Sequence, residues 1–150
     1  MKVLMISVKA GYGHHSTAQA VMECLAERGI ESKMLDTFDY IDPVLGESID
    51  KGYLFSTTNF PEMYGKAYSL LDKRVEKYKP SSLIAIVSKL VSHKLKEFII
   101  NYAPDVIIGT HSYACMVMTY LKEKGVIKCP TIGIVTDFTV HPFWESTDMD

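Results

Sequence analysis

The stretch Gly11-Tyr12-Gly13-His14-His15-Ser16 places two glycines and an imidazole where the chain turns from a strand into a helix. A histidine at a helix N-terminus faces unpaired backbone N–H groups and the positive pole of the helix. That pole disfavours imidazolium, and a neutral imidazole can take a proton from a hydroxyl, as a general base must. The same N–H groups suit a bound anion. Gly11 and Gly13 let the backbone turn sharply and let a ligand come close. His14 is therefore the candidate base, and a histidine that only caps the turn is the plain alternative. Gly11, Gly13 and Ser16 are candidate binding residues; His15, one residue on, points elsewhere and reads first as a surface residue. Two common phosphate loops are excluded. The dinucleotide fingerprint needs a third Gly or Ala where Ser16 stands, and no Gly-Lys-Ser/Thr triplet is present.

Other chemistry-bearing residues lie far along the chain. Asp137 can orient an imidazole, bind a substrate hydroxyl or cap a turn. His141 and Trp144 flank Pro142-Phe143. Trp144, the single tryptophan, is expected to be exposed in a loop as a lipid- or sugar-facing contact, or else to pack at a hinge. His111 follows an apolar run and completes the set.

The elements that must position these groups can be read from periodicity. Val3–Val8 is an apolar run fit for a strand buried on both faces. Ala18, Val21, Met22 and Leu25 recur at helical spacing, and Gly29 is a natural helix stop. Ser16 and Gln19 fit a capping box, which predicts a helix starting near Ser16. Strands are expected at 31–36, 105–109 and 131–135, and a helix over 112–124. Between 42 and 102 no strand pattern appears; Pro43, Pro61 and Pro80 divide three helical segments. In the last of these, Leu83, Val87, Leu90, Val91, Leu95, Phe98, Ile99 and Tyr102 form one stripe, with Lys89, His93 and Lys96 opposite. The order β-α-β, helical insert, β-α-β predicts an α/β fold: a Rossmann-like, doubly wound parallel sheet. Ligands bind such sheets where strands end. His14, His111 and Asp137 all follow strand ends, so they should converge on that edge.

Three segments resemble one family. Gly11-Tyr12-Gly13-His14 followed by Ala18 is similar to the Gly-x-Gly-His turn of the monogalactosyldiacylglycerol synthase and processive diacylglycerol glucosyltransferase family. Thr136-Asp137 with His141-Pro142-Phe143-Trp144 resembles its Thr-Asp-…-His-Pro-x-Trp segment, and Pro104-Asp105 to His111 resembles its Pro-Asp strand with a histidine beyond. The resemblance covers the chain but only the family's N-terminal half. It implies the N-terminal half of a GT-B fold, acting as acceptor domain, with a C-terminal UDP-sugar-binding domain as its partner and little turnover by the 150 residues alone. It implies inverting transfer of glucose or galactose from a UDP-sugar to diacylglycerol in glycolipid synthesis. His14 and Asp137 would then be catalytic, and Gly11, Gly13, His15, Ser16, His111, His141 and Trp144 would bind substrate. No cofactor or metal is implied; the UDP-sugar is a substrate. Two alternatives stand beside this. One is an enzyme like the N-acetylglucosaminyltransferase acting on undecaprenyl-linked muramyl peptide. The other is a non-enzymatic α/β module binding an anion or nucleotide.

Composition narrows the classes. With 47% hydrophobic and 23% charged residues, the 150-residue chain fits one globular domain rather than a disordered segment. A net charge of −2 implies no general affinity for nucleic acid. Cys24, Cys115 and Cys129 lack metal-ligand spacing and read as reduced packing residues. No apolar run spans a membrane, and the first strand is not a signal peptide. Residues 66–96 hold eight basic residues, Lys66, Lys73, Arg74, Lys77, Lys79, Lys89, Lys94 and Lys96, against Asp72 and Glu76. Aromatic residues Tyr53, Phe55, Phe60, Tyr64, Tyr68 and Tyr78 lie in or beside them. This basic, aromatic surface, Lys66, Lys73, Arg74, Lys77, Lys89 and Lys94 above all, suits an anionic membrane; an ordinary solvated helix face is the alternative. The expected location is cytoplasmic, peripheral on the inner face of the cell membrane.

Overall fold

A computed structural model describes residues 1–9, 12–40, 47–48, 51–52, 55, 58–60, 62, 93–138, 140 and 142–150. Strand β1 (Lys2–Ser7) leads into helix α1 (Tyr12–Glu27), then strand β2 (Glu31–Asp36). Residues 93–102 are helical (α2). Strand β3 (Val106–Gly109), helix α3 (Ser112–Glu123) and strand β4 (Thr131–Gly133) follow. A 3-10 turn, Pro142–Ser146, comes last. Of residues 42–92, the described ones are helical except Phe60; the charged residues Lys66, Lys73, Arg74, Lys77 and Lys89 lie outside the described residues.

The four strands among the described residues are parallel, in the order β2-β1-β3-β4. The chain steps to one side of β1 for β2 and to the other for β3. The direction of winding therefore reverses between β1 and β3, and the crevice beyond their C-terminal ends is the ligand position of a doubly wound sheet. β1 alternates between two cores, as a strand covered on both faces must. Val3 and Met5 pack with Ala18 and Ile108 under α1. Leu4, Ile6 and Val8 pack with Leu95 and Ile99 of α2 and Ala114, Val117, Met118 and Leu121 of α3. Leu95 and Ile99 carry the expected stripe, while His93 and Lys96 are exposed.

Two helices end by one device. Gly29 and Gly125 have φ of +69° and +68°. The Ile30 amide donates to the Leu25 carbonyl and Gly29 to Ala26; Val126 donates to Leu121 and Gly125 to Lys122. These are Schellman closures, which need a residue that tolerates the left-handed region.

Three local expectations are corrected. α1 begins at Tyr12, a full turn before Ser16. Ser16 is inside the helix, and Gln19 bonds forward to Glu23 instead of closing a capping box. β4 ends at Gly133 rather than Val135, though the Ile134 amide still donates to the Gly109 carbonyl. Cys24 is exposed on α1 rather than packed.

Candidate functional site

Each group at the switch-point crevice is delivered by the end of a strand. Because Ile6 of β1 is paired with Gly109 of β3, the segments that follow them start side by side. His14 falls in the first turn of α1, beyond β1. His111 is the N-cap of α3, beyond β3. Their imidazole rings meet edge to face, with centroids 4.5 Å apart and planes at 73°. The sequence offers His111 through its place after a strand end and through the family resemblance; the structure makes it the neighbour of His14.

The ring of His14 is held through Nδ1. The Thr110 carbonyl oxygen lies 2.9 Å away and Thr136 Oγ1 2.5 Å away. Thr136 Oγ1 is also 3.3 Å from the Thr110 carbonyl, to which it donates. A carbonyl oxygen has only lone pairs to offer, so Nδ1 carries the proton. In the neutral ring the lone pair is then on Nε2. His111 is set the other way. Its Nδ1 accepts the Tyr113 amide at 3.0 Å, so its neutral form carries the proton on Nε2. The two rings are therefore opposite tautomers.

The carbonyl that orients His14 is itself fixed. Thr110 is fully buried, its amide donates to the Ile6 carbonyl, and its hydroxyl donates to Ser7 Oγ at 3.0 Å. The Ser7 carbonyl accepts both the amide and the hydroxyl of Thr37 at 2.8 Å. Below the crevice, the buried hydroxyls of Thr110, Ser7 and Thr37 thus find partners in one another or in the Ser7 carbonyl, across three strand ends. Asp36 closes the next connection. Its Oδ1 accepts the Phe38 and Asp39 amides and its Oδ2 the Lys9 amide, tying the segment that enters the glycine turn to the end of β2.

The remaining candidates are scattered differently than expected. Asp137 is exposed in the bend beyond Thr136 and is not among the groups at Nδ1. Gly13 has no positive φ, and a Cβ there would meet nothing within 4 Å, so it offers close approach rather than a turn. His15 and Ser16 line an open groove on α1 with Tyr12, Gln19, Ala20 and Glu23. His15 is half-buried, and its Nδ1 has no partner among the described residues. Trp144 corrects the expectation of an exposed aromatic. It is 9% exposed and joins the core beside α3, close against Gly133. Gly11 and His141 lie outside the described residues, and Lys94 is exposed on α2. Thr110 and Thr136 were not anticipated as site residues. The Thr-Asp pair was the available signal, but it drew attention to the acid.

The thiols do not compete for a chemical role here. Burial pushes the Cys115 thiol up to about 12, so it offers no thiolate, and burial raises Cys129 as well. Among the described residues, no three His, Cys, Asp or Glu side chains converge as metal ligands.

The parallel sheet order β2-β1-β3-β4, with a histidine pair and a helix N-terminus at its switch point, defines a Rossmann-like α/β domain. The chain matches the family described as Monogalactosyldiacylglycerol (MGDG) synthase over residues 14–150 and belongs to that family. It is 27% identical over 150 residues to the processive diacylglycerol beta-glucosyltransferase of Bacillus mycoides (strain KBAB4), covering 99% of this chain and 37% of that protein. The enzyme of the same name from Bacillus cytotoxicus is 26% identical, with the same coverage. The chain thus spans little more than a third of the length of the curated relatives it matches. No solved structure matches it.

Proposed function

We propose that the chain is the acceptor-side domain of a glycosyltransferase that moves a hexose from a UDP-sugar to the hydroxyl of diacylglycerol, with inversion. The observation that carries this is His14, beyond β1 at the switch point and held through Nδ1, which leaves the lone pair of the neutral ring on Nε2. In the reaction, the acceptor oxygen attacks the anomeric carbon as Nε2 takes its proton, and the bond to the diphosphate breaks on the opposite side. The first-turn amides of α1 have no partners within the helix and suit the negative charge that develops there. Family membership supports the substrate pair, since the relatives are named for diacylglycerol. Tyr12 at the head of α1 and Phe138 and Val140 beyond β4 are exposed apolar side chains on the segments that form this edge, which suits a lipid acceptor. A donor-binding domain elsewhere in the protein belongs to the same proposal. So do a peripheral position on the inner face of the membrane and contact of the basic insert with anionic lipid. No helix among the described residues is long and apolar enough to cross a membrane.

The test uses the intact protein with a UDP-sugar and diacylglycerol in vesicles. Glycosylated diacylglycerol is expected, with more protein bound to anionic than to neutral vesicles. His14→Ala should lower kcat by about 10²–10⁴-fold while the KM values move little, and His15→Ala should cost under about tenfold. Equal losses for both variants reject His14 as the base. Absence of glycolipid product rejects the reaction.

A further inference from the structure

We infer that Thr136, not the neighbouring Asp137, is the side chain that selects the tautomer and orientation of the His14 ring. Three contacts close a triangle: His14 Nδ1 to the Thr110 carbonyl, His14 Nδ1 to Thr136 Oγ1, and Thr136 Oγ1 to the Thr110 carbonyl. One arrangement of hydrogens satisfies all three. Thr136 donates its hydroxyl proton to the carbonyl, and Nδ1–H is shared between the carbonyl and Oγ1. The reverse, with the hydroxyl donating to a bare Nδ1, sets two lone pairs against each other across 2.9 Å. Thr136 therefore acts twice: it accepts from the ring and pins the carbonyl that also accepts from the ring.

The placement follows from the sheet. The Ile134 amide reaches the Gly109 carbonyl at the end of β3, so the next carbonyl, that of Thr110, lies beyond the ladder and can take side-chain donors. Thr136, two residues past Ile134, is half-buried beside it, while Asp137 is exposed. Both partners of Nδ1 are neutral. The ring is oriented without a formal negative charge beside it, unlike a histidine held by a carboxylate.

Thr136 is thus a positioning residue. Its part in catalysis rests on the reading of His14 as the base; its effect on the ring does not. The experiment therefore begins with the ring. Nitrogen NMR on the histidine-labelled protein at alkaline pH reports the tautomer of each of the five imidazoles, with His14 assigned by its loss in His14→Gln. The wild-type ring should be the Nδ1–H tautomer, the less common form for free imidazole side chains. Thr136→Val should shift the ratio about two- to tenfold toward Nε2–H, the worth of one hydrogen bond. Thr136→Ser should restore the wild-type ratio, and Asp137→Asn should leave it unchanged. A wild-type ring in the Nε2–H form, or an unchanged ratio in Thr136→Val, overturns the inference; if the valine variant does not fold, Thr136→Ala is measured in its place with the same two outcomes. In the transferase assay, Thr136→Val should lower kcat with little change in KM, and Thr136→Ser should recover it. A shifted tautomer with an unchanged rate upholds the positioning role and counts against His14 as the base.

Discussion

Two glycines at this edge of the sheet show opposite uses of a missing side chain. A Cβ on Gly109 would fall 2.5 Å from Cys115 Sγ and 3.0 Å from Met118 Sδ, both in the packed core under α3. Gly109→Ala is expected to destabilise the fold by about 1–3 kcal/mol in urea unfolding, the usual cost of overpacking. Adding Cys115→Ala should recover part of that loss, because the two sites share one space. Gly13 is exposed, helical and open on all sides. Gly13→Ala should leave stability unchanged or raise it by up to about 1 kcal/mol, since the unfolded chain loses freedom. If the glycine is there to admit a ligand, the same variant should lower turnover of the intact protein by about 10²-fold, the order expected when reacting groups are displaced by about 1 Å. A variant that is stable and fully active would show that no ligand needs the close approach that Gly13 allows.

The sheet edge depends on elements that press β1 from both sides. α2 contributes Leu95, fully buried, and Ile99, with Phe98 and Tyr102 packed beside them. That stripe was legible in the sequence because its spacing matches a helix turn and its neighbours are charged. Leu95→Ala should cost about 2–5 kcal/mol in urea unfolding, through lost transfer energy and an unfilled cavity. His93→Ala, on the exposed face, should change stability by less than about 0.5 kcal/mol. Equal small effects would mean that α2 is not docked through this face. The start of α1 was not legible in the same way. Ser16 and Gln19 have the right types and spacing for a capping box, but the Lys9 amide is tied to the Asp36 carboxylate and the helix winds from Tyr12. A local motif gave way to the connection that the paired strands impose.

Across the whole molecule, the last residues return to hold α3 against β4. The Asp148 amide donates to Thr119 Oγ1, the Asp150 amide to the Thr131 carbonyl, and Lys122 Nζ reaches the carboxylates of Asp148 and Asp150. The Asp150 side chain also accepts the Thr131 amide and hydroxyl. The Lys122 hydrogen bond first, then those from Thr131, hold its carboxyl at about 2, below the ordinary 3.8. A depressed folded value means stability that is fully present above the unfolded value and is lost as pH falls through the folded one. The difference in melting temperature between wild type and Asp150→Asn should therefore be constant from neutral pH down to about 5 and shrink between about pH 4 and 2. A difference that persists unchanged at pH 2 would remove the charge from the explanation.

Amino-acid order alone determined the parts of this protein that depend on near neighbours. The apolar run of β1, the stripe of α2, the glycine stops at Gly29 and Gly125 and the β-α-β order need only local sterics and periodicity, so they are written in consecutive residues. It also placed His14, His111 and Asp137 after strand ends. Tertiary structure alone decided what these residues touch. His14 Nδ1 meets a backbone carbonyl 96 positions away, and a carbonyl leaves no mark in a sequence. It meets the hydroxyl of Thr136, 122 positions away, while the adjacent carboxylate of Asp137 faces solvent. Trp144 carries a polar nitrogen and stands two residues after Pro142, which reads as an exposed loop position, yet its ring fills the space that Gly133 leaves open beside α3. Such contacts arise only when strands β1, β3 and β4 are set side by side, because pairing across a sheet is long-range and the identity of a partner is not coded at either end.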